Sequence, residues 1–90
     1  MNSVNINEKK FTVVFRIEKG GRGGKIVTVM SGFPRNEEFV SNLTKELKKK
    51  CGVGGTFAIS AEEAMIEIQG DQRDRLKKIL TEMGMKYKGM

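Results

Sequence analysis

Residues 32–55, GFPRNEEFVSNLTKELKKKCGVGG, place one amphipathic helix between two glycine-marked breaks. Asn36 is a good N-cap, and Glu37 and Glu38 suit the positive end of a helix dipole. Phe39, Val40, Leu43, Leu47 and Cys51 recur at helical spacing and make one apolar stripe. Lys45, Lys48 and Lys49 fall on the opposite side of that helix, with Lys50 on a flank. Gly52 stands where a left-handed residue closes a helix. A single apolar stripe must be buried against another layer. The flanking segments supply a sheet.

Upstream, Phe11, Val13, Phe15 and Ile17 alternate with Thr12, Arg16 and Glu18, so Phe11–Lys19 reads as a half-buried strand. Val14 is the one exception. Lys25–Ser31 is β-rich, but both of its faces are apolar and the pattern leaves its inner face open. With residues 19–25, KGGRGGK, between them, the two strands form a hairpin. Downstream, Gly54-Gly55 opens a second hairpin, Thr56–Ser60 and Ala64–Gln69, turning at Ala61-Glu62-Glu63. Phe57, Ile59, Ala64, Ile66 and Ile68 are its inward positions.

Gly70 then breaks the pattern and Asp71 is expected to cap a second helix, with Asp74 completing a capping-box-like pair. Leu76, Ile79, Leu80 and Met83 form the buried stripe of that helix, and Arg75, Lys77 and Lys78 its outside. Gly84 ends it, and Met85–Lys88 can add a short edge strand. The order β-β-α-β-β-α(-β) predicts an α+β two-layer sandwich, with both helices on one face of a four- or five-stranded mixed sheet. It is related to the ferredoxin-like plait. A right-handed crossover through the first helix should make the second and third strands parallel.

Ninety residues suffice for one domain. Met1–Lys10 read as a polar, disordered tail and residues 11–90 as the domain. The single cysteine excludes an internal disulfide, and the lack of histidine and of a CxxC pair leaves no zinc set. Neither a membrane-length apolar run nor a signal-peptide pattern occurs, so a cytoplasmic, soluble monomer without cofactor is expected. The net charge is +6 and uneven: residues 52–70 hold three carboxylates and no cation, while the glycine loop and both helices carry the excess. One basic side and one non-basic side is the usual footprint for a polyanion.

The loop at 19–25 has two readings, a flexible turn with solvated charges or a phosphate contact. A Walker A loop needs glycine where Lys19 stands and Ser or Thr where Ile26 stands, so that motif fails. A dinucleotide fingerprint would put its third glycine on Ile26, inside a strand. Without histidine the usual base for a nucleophilic Ser or Cys is missing. The best enzyme alternative is a phosphate-handling hydrolase of the acylphosphatase kind, with Arg22 as the cation and Asn42 poorly placed at mid-helix to hold water. RNA suits the chain better. Arg22 among glycines can meet phosphate bidentately, and Lys45, Lys48 and Lys49 form a ridge for backbone contacts. The bland reading of that ridge is an ordinary solvated helix face. The aromatics sit mostly at core positions, which disfavours stacking on unpaired bases.

Several segments read together resemble one family: residues 22–29, RGGKIVTV; Gly32-Phe33-Pro34; residues 47–56, LKKKCGVGGT; and residues 66–73, IEIQGDQR. They are similar, in order and over roughly Phe11 onward, to the eukaryotic translation initiation factor one (SUI-type) family, with its YciH-like bacterial and archaeal members. The resemblance implies a non-catalytic factor that binds the small ribosomal subunit and its rRNA near the decoding site, in reach of initiator tRNA and other initiation factors. It implies either start-codon selection or modulation of initiation. It places Lys19, Arg22, Gly23, Gly24 and Lys25 of the hairpin loop, and Lys45, Lys48 and Lys49 of the first helix, toward RNA. Asp71 and Gln72 match a surface string close to the same site. The chain departs from the family in its glycine-richer hairpin loop, its longer turn at Ala61–Glu63 and its lack of a zinc-binding extension.

Overall fold

The computed structural model describes residues 11–19 and 25–89; the tail at 1–10 and the loop residues 20–24, which include Arg22, Gly23 and Gly24, lie outside the described residues. Among the described residues, five strands and two helices follow the expected order: β1 Thr12–Lys19, β2 Ile26–Phe33, α1 Glu37–Cys51, β3 Gly55–Ile59, β4 Ala64–Gln69, α2 Arg73–Glu82 and β5 Lys86–Gly89. They form one mixed sheet in the order β3-β4-β2-β1-β5. β1·β2, β2·β4 and β3·β4 are antiparallel, and β1·β5 is the parallel ladder.

β2 and β3 run in the same direction, as a crossover requires, but they are not neighbours because β4 lies between them. α2 likewise joins two strands that run the same way, β4 and β5, across the whole of β2 and β1. Leaving β1 aside, the remainder is the β-α-β-β-α-β plait, so β1 is a strand inserted between that plait's central strand and its edge.

The inner face carries Val13, Phe15, Met30, Phe33, Ala64, Ile66 and Ile68, packed against Val40, Leu43 and Leu47 of α1 and Leu76, Ile79 and Leu80 of α2. α1 lies over β3 and β4, and α2 beside α1 and β5. Phe57 and Ile59 are half-buried against this core. The inner face of β2, which the sequence pattern leaves open, is the one with Thr28 and Met30. The segment Gly32-Phe33 does not merely punctuate, since β2 continues through it. A register shift between Met30 and Phe33 turns both side chains inward. The shift depends on glycine: Gly32 has φ +91°, and a Cβ there would meet the Thr12 carbonyl oxygen at 2.5 Å.

Neither α1 nor α2 covers the other face of the sheet, which carries rows such as Arg16–Val29–Glu67–Thr56. No aromatic ring stands in those rows. Phe11, Phe33 and Phe39 cluster with ring centroids 5.6 and 6.1 Å apart, and Phe15 packs edge-on to Tyr87 at 5.7 Å. Lys77, expected outside, is instead half-buried, its Nζ 5.9 Å from the centroids of both Phe15 and Tyr87.

Candidate nucleic-acid interface

Strand direction decides which side chains meet. β1 ends and β2 begins at one end of the sheet, where Lys19 pairs with Ile26. β4 finishes at the same end, with Gln69 opposite Val27 and the Gly70 N–H donating to the Ile26 carbonyl at 2.7 Å. β3 starts there too, since the Gln69 N–H donates to the Gly54 carbonyl at 3.0 Å. α1 therefore delivers its C-terminal turn to this end, and α2 its N-terminal turn. Lys19, Lys25, Lys48, Lys49, Asp71 and Gln72, scattered over the sequence, are brought to one end of the molecule.

The α1 end is closed as its sequence requires. Gly52 is left-handed at φ 69°, and its N–H and that of Val53 both donate to the Lys48 carbonyl, at 2.8 and 3.3 Å. Lys48, Lys49 and Lys50 fill the last turn, where cations offset the negative dipole end. Lys45 and Lys49 are exposed on successive turns, whereas Lys48 is half-buried. It leans toward β3: a Cβ on Gly55 would come within 3.2 Å of its Cγ. Lys50 pairs with Glu46 at 3.5 Å. Among the described residues no carboxylate forms an ion pair with Lys19, Lys25, Lys45, Lys48 or Lys49.

The start of α2 differs from the expectation. Gln72, not Asp71, is the N-cap, and its side chain makes no capping hydrogen bond. Asp71 still reaches the helix start. Its carboxylate accepts from Arg73 Nε at 2.8 Å, from an Arg73 terminal nitrogen at 2.7 Å and, more weakly, from the Arg73 N–H at 3.4 Å. The Arg73 hydrogen bond holds the Asp71 carboxyl below the usual carboxylate range. Asp71, Gln72, Arg73, Asp74 and Arg75 together line an open hollow of about 310 Å³.

The loop is tied to the sheet from beneath. Thr28, wholly buried on β2, donates its hydroxyl to the Gly70 carbonyl at 2.7 Å and accepts the Gln72 N–H at 2.9 Å. Cys51, half-buried at the end of α1, has its thiol pKa pushed up by burial, with the Arg75 charge opposing that shift. It packs as a small apolar residue. Arg73 and Arg75 belong to the basic end by position and were not singled out by the sequence pattern; the excess of cations in residues 71–90 was the available signal.

Among the described residues no group of His, Cys, Asp and Glu could hold a metal ion, and no helix is long and apolar enough to cross a membrane. Asn42 is exposed in the middle of α1, away from any phosphate-cradling loop.

The comparisons with known proteins agree on one family. The model of "Translation initiation factor SUI1" matches residues 8–86. A Salmonella typhimurium protein described as "Uncharacterized protein YciH" is 44% identical over 77 residues, covering 83% of this chain and 68% of that protein. A "Protein translation factor SUI1 homolog" of Pyrococcus furiosus is 44% identical over 63 residues, covering 70% of this chain and 60% of its own length. Another of the same description, from Thermoplasma volcanium, is 45% identical over 65 residues, 72% of this chain and 62% of that one. With a mixed sheet packed under α1 and α2 and a family match over residues 8–86, the chain belongs to the SUI1 family of translation initiation factors.

Proposed function

We propose that this protein binds the small ribosomal subunit with its basic end against ribosomal RNA near the decoding site, and so contributes to start-codon selection or to modulation of initiation. The observation that carries the reading is convergence. Lys19, Lys25, Lys48 and Lys49, from three different element ends, stand at one end of the sheet with no ion-pair partner among the described residues. Unpaired cations gathered on one side favour a polyanion, because each releases a counterion on contact with phosphate. Lys45 extends the ridge along α1, and Arg22, Gly23 and Gly24 belong to the loop between Lys19 and Lys25. Asp71 and Gln72 lie at the rim.

Recognition is by shape and phosphate. The rings are committed to the inner face or to the β1·β5 edge, so the open sheet face offers no stacking platform. The protein acts as a monomer in the cytoplasm, beside initiator tRNA and other initiation factors. The family is one of translation factors without catalysis, so the chain is not an enzyme, and nothing supports the acylphosphatase-like alternative.

Chemical footprinting of small-subunit RNA with and without the protein tests this reading. Protection near the decoding centre is expected, and protection nowhere would sink it. In co-sedimentation, the Lys48→Glu, Lys49→Glu variant should lose most of its binding at moderate salt. Undiminished binding would remove the α1 ridge from the interface.

A further inference from the structure

Thr28 is the one polar side chain in its row of the inner face, where it is flanked across the sheet by Ile17 of β1 and Ile68 of β4. Packing does not call for a hydroxyl there. Valine has nearly the same shape and suits a buried strand position at least as well. What threonine adds is two hydrogen bonds to the loop that leads into α2: one to the Gly70 carbonyl and one from the Gln72 N–H. The two bonds bracket Asp71. The second also meets one of the leading amides of this helix that no helical carbonyl satisfies.

Gly70 takes φ +86°, and its N–H bond to Ile26 fixes only the end of β4. The Gln72 amide reaches back to the Gln69 carbonyl at 3.4 Å. The Asp71–Arg73 pair is exposed and orders those two side chains against each other. From β2, the Thr28 hydroxyl adds two bonds to this loop beyond the backbone bond between Gly70 and Ile26.

We infer that Thr28 is a positioning residue for RNA binding: from the core, its hydroxyl sets where the Asp71–Arg75 segment stands relative to the lysines of α1 and of the β1–β2 hairpin. This rests on the proposed ribosomal role of the basic end. With valine at 28 the Gly70 carbonyl and the Gln72 N–H turn to water, and the loop shifts away from the sheet. Arg73 and Arg75 then no longer share a surface with Lys48 and Lys49.

The test compares Thr28→Val and Thr28→Ser with the unaltered protein in binding to purified small subunits over a salt series. Thr28→Val should bind roughly tenfold more weakly, with a salt dependence flatter by about two phosphate contacts, and Thr28→Ser should restore both. A structural role alone would not change the salt slope. In free protein, Thr28→Val should speed hydrogen exchange at the Gln72 N–H and leave that of α1 unaltered. Unchanged affinity and slope in Thr28→Val would overturn the inference while leaving the ribosomal reading intact. Unchanged affinity in Arg73→Ala, Arg75→Ala would overturn it as well, whether or not the Thr28 variants fold. If the unaltered protein fails to bind subunits, the ribosomal reading falls and with it the role given to Thr28, whatever the exchange data show of the anchor itself.

Discussion

The two helices begin in opposite ways. α1 is capped from within its own sequence: the Asn36 side chain accepts the Phe39 N–H at 2.9 Å, and Glu37 and Glu38 occupy the first turn. α2 is started from outside. Its N-cap Gln72 gives no side-chain bond, its nearest carboxylate is turned to the Arg73 side chain and reaches the Arg73 N–H only at 3.4 Å, and the Gln72 N–H is met by a hydroxyl from a strand 44 positions away in sequence. A helix start made of local residues is sturdy and faces nothing in particular. One assembled from distant parts is placed by the fold as a whole, and it is this one that stands at the basic end.

The contrast can be broken most severely at Leu76, wholly buried in the first turns of α2. Leu76→Ala should destabilise the protein by about 2–5 kcal/mol in urea unfolding, because the cavity lies where the helix is hardest to nucleate. A loss near zero would mean that α2 is held by its loop and not by its stripe. Asn36→Ala tests the self-contained start. It should lower stability by about 1 kcal/mol and leave small-subunit binding unchanged, which thermal melts and co-sedimentation would read side by side. Reduced binding there would blur the division between the two helix starts.

The smallest effect concerns the Asp71–Arg73 pair. Since the Arg73 hydrogen bond is the main cause that keeps the Asp71 carboxyl low, Arg73→Ala should raise its pKa toward the ordinary aspartate range in an NMR titration. A folded-state pKa below the unfolded one stabilises at neutral pH, and that contribution is lost as the pH falls through the lowered value. The acid limb of a stability profile should therefore lose a little of its steepness in the variant. An unmoved titration would show the pair to be absent in solution.

The same contrast explains what the sequence made legible. Asn36, Gly52 and the stripe at Val40, Leu43 and Leu47 were readable because each acts on residues within a few positions of itself. The two-layer plan was readable for the same reason, as a run of local periodicities. Hidden from view were the relations between distant segments. Nothing in a β-rich run distinguishes Thr28 as an anchor, and nothing in residues 71–74 reveals that Asp71 will meet the Arg73 side chain with both of its oxygens. Of the candidate site, the cations of the hairpin and α1 were found through their charge. Arg73 and Arg75 gained their place only when β4 was seen to end beside Ile26.

The position of β1 has a consequence for how the molecule forms. Thr12 pairs with Lys86 and Phe15 with Gly89, so the β1·β5 ladder joins residues 74 positions apart. The β1–β2 hairpin needs only a short loop closure and can form early, but until β5 exists one side of β1 stays open and unpaired. Long-range parallel pairing of this kind slows folding more than it alters final stability. Since β5 follows every other strand in the chain, the sheet closes only after the rest of it has been made.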